Sequence, residues 1–136
     1  YIGISKKYNA FEFQDAIGQK NFSKAIRMIQ YFESNNKAAP IQLILPTLYS
    51  FFSKVYMIYG LGTKDDRKIA SELGMNPYVV KNYTQALNLY SYNKVQQILL
   101  LIQEYNLRVL GINDASNEDS DLLKELVVKI MDDPLK

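Results

Sequence analysis

Residues 40–61, PIQLILPTLYSFFSKVYMIYGL, form the longest apolar segment of the chain, and their reading decides the fold. With a helical period, Ile41, Leu45, Leu48, Phe52, Val55 and Tyr59 fall on one continuous stripe. Pro40 suits a first helical turn, where its missing N–H has no intrahelical partner to lose. Pro46 is expected to start the regular helix late or bend it. The segment has the roughly 20 residues that a membrane span needs. Yet Gln42, Thr47, Ser50, Ser53 and Lys54 gather away from the stripe, and a central Lys costs about 2.5–3.5 kcal/mol on insertion scales. The segment therefore reads as a buried core helix, not a membrane span. Leu43 and Met57 point into the polar sector, so part of it is expected to meet another subunit rather than water.

Upstream, Asn9 to Glu12 has capping-box spacing and opens a short helix through about Gln19, with Phe11, Asp15 and Gly18 on roughly one side. A second helix, about Phe22 to Ser34, carries Phe22, Ala25, Ile26, Ile29 and Phe32 on one stripe. Lys20, Lys24 and Arg27 lie on its other side and read as a solvated face.

Downstream, Thr63 to Asp66 repeats the capping-box spacing before a helix containing Ile69, Ala70 and Leu73. Gly74 is a natural C-terminal cap, and Asn76-Pro77 starts the next helix. Val79, Val80, Tyr83, Ala86, Leu87 and Tyr90 supply that helix's apolar face. Ser91 caps a long helix to about Leu110, with Val95, Ile98, Leu99, Ile102 and Val109 at helical spacing. Leu99 to Ile102 (LLLI) predicts burial over a wide arc. A polar loop from Gly111 to Ser120 precedes a last amphipathic helix bearing Leu122, Leu123, Leu126, Val127 and Ile130. The sum is one all-α, bundle-like domain of about six or seven helices, with no internal repeat.

Composition limits the chemistry. Apolar residues make up 48 % and charged residues 22 %, ordinary values for a globular chain. At 136 residues a single domain buries about two-thirds of its unfolded surface, enough for its own core. The chain lacks both Cys and His, which removes thiolate and Ser-His nucleophiles and the usual zinc ligands. Sixteen basic against fourteen acidic residues leave a net charge of +2, too balanced to predict strong attraction to nucleic acid or membranes. Because the first residue is Tyr1 rather than Met, the sequence is expected to be a piece of a longer chain, with residues 1–8 connecting it to a preceding domain. No secretory leader pattern is visible, and a cytoplasmic location is expected.

The remaining motifs read as structure. Gly60 to Lys64 (GLGTK) lacks phosphate-loop spacing and a preceding strand. Asn113 to Asp121 (NDASNEDSD) is rich in oxygen but lacks the turn glycine and terminal glutamate of a calcium loop. Asp65/Asp66 and Asp132/Asp133 are adjacent pairs that diverge on a helix, so they make no catalytic dyad. The eleven tyrosines fall mostly on core stripes, where a ring packs and a hydroxyl reaches a polar partner. No catalytic, cofactor-binding or metal-ligating residues are assigned. Leu43, Tyr49 and Met57 are the candidate interface residues.

Residues 69–83, IASELGMNPYVVKNY, have the outline of a helix-turn-helix. In a major groove, Lys81, Asn82 and Gln85 would be the contacting residues of an independent DNA-binding regulator using residues 69–88. That face offers one cation, where specific binding needs several phosphate contacts. The pattern reads better as a packed hairpin.

The order of these signals resembles the C-terminal domain of the bacterial DNA polymerase III delta subunit. The matching stretches are YNAFEFQDAIGQKNFSKAIRMI, PIQLILPTLYSFFSKV, KIASELGMNPYVVKNYTQAL, YSYNKVQQILLLIQEYNLRVLG and LLKELVVKI, and the sharpest marker is IA-x-x-LG-x-x-P-x-x-VK. The resemblance implies a helical collar domain, packing with other clamp-loader subunits in the assembly that places the sliding clamp on primed DNA. It implies contact with the sliding clamp through an N-terminal region outside this sequence, and with DNA mainly as part of the complex. It implies a non-catalytic domain within a polymerase complex, without cofactor and without membrane contact.

Overall fold

The computed structural model describes residues 8–35, 39–111 and 118–132, and every regular element among them is a helix. Asn9 Oδ1 accepts the Glu12 N–H at 2.9 Å and starts α1 (Ala10–Gly18). Asn21 Oδ1 accepts the Lys24 N–H at 3.2 Å and starts α2 (Phe22–Ser34). Behind Pro40, α3 (Ile41–Leu61) runs unbroken past Pro46, whose missing donor leaves the carbonyl of exposed Gln42 without its helical partner. Asp65 caps α4 (Asp66–Leu73), and Gly74 ends it in the left-handed conformation (φ 63°) that costs a residue without Cβ little. Asn76 Oδ1 accepts the Tyr78 N–H at 2.8 Å, with Pro77 in the first turn of α5 (Pro77–Leu89). Ser91 Oγ accepts the Lys94 N–H at 3.0 Å and opens α6 (Tyr92–Gly111). The last helix is α7 (Glu118–Met131). These seven helices make the all-α bundle expected from the periodicity.

At the centre, α3 packs against α1, α4, α5, α6 and α7, while α2 packs on α1 and α7. Its stripe is buried as expected at Ile41, Leu45, Leu48, Phe52 and Val55, with Tyr59 half-buried, and Ile44, Phe51 and Ile58 widen it. Fully burying a side chain of this size contributes about 1.5–3 kcal/mol, so α3 is the largest contributor to the core. Phe51 stacks on Tyr83 with ring centroids 4.8 Å apart, and Phe52 meets Tyr90 edge-on at 5.4 Å. Tyr90 closes the centre: its hydroxyl donates to the Ile17 carbonyl at 2.6 Å. The Tyr59 hydroxyl shares its one proton between the carbonyls of Leu87 (2.9 Å) and Tyr90 at the end of α5.

Several elements differ from the sequence reading. Phe11 and Phe22 are exposed, because α1 turns Phe13, Ala16 and Ile17 inward and α2 uses Met28 instead. In α5, Val79 is exposed and Tyr90 lies just past the helix end. The α4 cap is Asp65 rather than Thr63, whose hydroxyl instead accepts the Asp65 N–H at 3.1 Å. Leu100 is exposed, and Tyr105 takes the buried place that the four-residue apolar run had implied. The polar loop is shorter than expected: Gly111 ends α6 and residues 118–120 begin α7, while residues 112–117 lie outside the described residues. So do residues 1–7, nearly all of the expected connection.

A Cβ on Gly18 would lie 2.7 Å from Phe51 Cζ, a ring already held by Phe52 and Tyr83. Gly18→Ala should therefore cost about 1–3 kcal/mol in urea denaturation, and Phe51→Leu should cost less in that background than alone. Unchanged stability would show that the ring can move. Burial raises the phenol pKa of Tyr59, Tyr83 and Tyr90 above the ordinary 10.0. The unfolded chain ionises these groups first, so their contribution is intact below pH about 10 and lost as pH rises beyond it. Tyr90→Phe should flatten that alkaline loss in melts taken as a pH series; an unaltered slope would assign it elsewhere.

Candidate interaction face

The seam between α3 and α6 is tied by uncharged polar groups. Gln103 Nε2 donates to the Tyr49 hydroxyl at 3.2 Å, and Gln96 Nε2 donates to the Tyr56 hydroxyl at 3.5 Å. These two rungs set the helices antiparallel, with the Leu43 end of α3 towards the Leu110 end of α6. Tyr92 donates to the same Tyr56 oxygen at 3.1 Å, and the two rings stack 5.3 Å apart at 17°. Tyr59 meets Tyr92 edge-on at 5.5 Å. Accepting these bonds lowers the Tyr56 pKa, while donating one raises that of Tyr92.

Beside this seam stand Leu43 (50 % exposed) and Met57 (52 %) on α3, and Leu100 (67 %), Leu107 (69 %) and Leu110 (67 %) on α6. Leu43, Ser50 and Met57 recur every two turns, so they share the outer side of α3. Leu100 and Leu107 do the same on α6. Charge is sparse here but not absent: exposed Glu104 stands on α6 one turn from both Leu100 and Leu107. Lys54 is the one ionisable cation between Ile41 and Leu61, and its ammonium donates to Ser50 Oγ at 3.0 Å. On α6, Lys94 turns to α7 and donates to the Lys129 carbonyl at 2.9 Å, while Arg108 pairs with Glu125 at 3.4 Å. A two-helix surface with exposed leucines and few charges has the composition of an interface centre rather than of solvated surface.

The three candidate interface residues all reach this region. Leu43 and Met57 lie on the outer side of α3, about 21 Å apart along its axis, and Tyr49 stands at the seam. Sequence reading missed Leu100 because the apolar run at 99–102 implied burial, and it assigned Leu107 and Leu110 to no face. The available signal was Gln96 and Gln103, one heptad apart, flanking Leu100 without a charge between them.

The candidate DNA contacts lie elsewhere. Lys81 and Gln85 are exposed on α5 and Asn82 is half-buried. Asn76 is committed to its cap, and Lys64 Nζ donates to Asn88 Oδ1 at 3.0 Å. From Lys64 to Tyr90, four cations face three carboxylates, so the hairpin carries little net charge. Of residues 60–64, Gly60 and Leu61 end α3 and the others lie in the turn that leads to α4. Of the oxygen-rich stretch, Asp119 to Asp121 sit in the first turns of α7 beside Glu33, at an open hollow between α2, α3 and α7. The remainder of that stretch up to residue 117, and Asp133, lie outside the described residues. Among the described residues no group of three acidic side chains is placed to hold a metal.

The family described as DNA polymerase III delta subunit, C-terminal domain, matches residues 7–127 of this chain. No curated protein and no solved structure gives a significant match.

The seam also predicts a titration. Tyr92→Phe removes the principal donor to Tyr56, so the Tyr56 phenol should titrate at higher pH in that variant. Ring-carbon NMR across an alkaline pH series reads this directly. An unmoved Tyr56 would mean that the two hydroxyls are not bonded.

Proposed function

The chain belongs to the family of C-terminal domains of the DNA polymerase III delta subunit, and we propose that it is the collar by which this clamp-loader protein associates with its companions. Membership supplies the clamp-loader role; the α3/α6 face supplies the reading of how the domain serves it. The observation that carries this reading is the gathering of five half- or more-exposed large apolar side chains on one two-helix surface, where Lys54 and Glu104 are the charged residues. Burying such a face gains apolar area at about 25 cal/mol per Å² with little charge desolvation. Contact with the sliding clamp belongs in this reading to parts of the protein outside this sequence, and DNA is met within the complex.

The test uses the full-length protein and its companion clamp-loader subunits. Leu100→Ser, and separately Leu43→Ser with Met57→Ser, should weaken association at least about tenfold. Because these side chains are at least half exposed, each change should cost less than about 1 kcal/mol of stability. Duplex DNA is titrated in parallel at low and moderate salt. Sequence-dependent DNA binding that Lys81→Ala weakens, with no association to companions, would replace the collar reading with the DNA-binding one.

A further inference from the structure

We draw no further inference here: the strongest candidate, the open hollow between α2, α3 and α7 rimmed by Glu33, Asp119 and Asp121, rests on acidic side chains that the Lys124 ion pair and the N-terminus of α7 already account for, and nothing in the structure shows what covers it.

Discussion

Everything in the domain depends on enclosing one helix. α3 carries apolar side chains over so wide an arc that no single neighbour can cover it, and five helices share the work. Phe51 and Phe52 stand at the middle of that arc as an edge-to-face pair 5.1 Å apart. Their requirements propagate outward. Phe51 needs a helix surface with no Cβ in its way, which Gly18 provides, and Phe52 needs the ring edge of Tyr90. Tyr90 in turn must place its hydroxyl on the Ile17 carbonyl, since a buried phenol without a partner is costly. One central cluster thereby fixes how α1, α3 and the end of α5 meet.

Enclosure is complete on one side of α3 and absent on the other. The same sequence that fills the core leaves Leu43, Ser50 and Met57 outward, and α6 continues that surface with Leu100 and Leu107. A solvated helix of this length ordinarily shows charged residues on its free face. Here the free face carries few charges, the Lys54 ammonium on Ser50 and exposed Glu104 on α6, among exposed apolar and uncharged polar side chains. That property connects the packing of the core to the proposed role in a replicative assembly: the helix that organises the domain also presents its contact surface.

Much of this was legible in the sequence because local rules and tertiary packing agreed. The Asn9, Asn76 and Ser91 caps and the Gly74 stop lie where the helix starts and ends are found. The IASELGMNPYVVKNY stretch folds as the hairpin that its glycine and proline encode. Legibility failed where neighbours, not periodicity, decide. Phe11 and Leu100 are as apolar as Phe13 and Ile98, and only the positions of other helices leave the first pair outside. Thr63 and Asp65 both have capping chemistry, and two residues of offset in α4 cannot be read from spacing alone. The candidate face was half visible: Leu43 and Met57 stood out against the polar sector of α3, but its partner helix could not be named without knowing that Gln96 and Gln103 meet Tyr56 and Tyr49.

If the collar reading holds, the outer side of α3 and α6 becomes covered when the protein joins its companions. Carbene footprinting of the full-length protein, free and in the assembled clamp loader, measures this side chain by side chain. Labelling at Met57, Leu100 and Leu107 should fall sharply on assembly, while the exposed Tyr78 of α5 and Phe11 of α1 keep theirs. Undiminished labelling of the leucines, with protection at Tyr78 and Phe11, would contradict it.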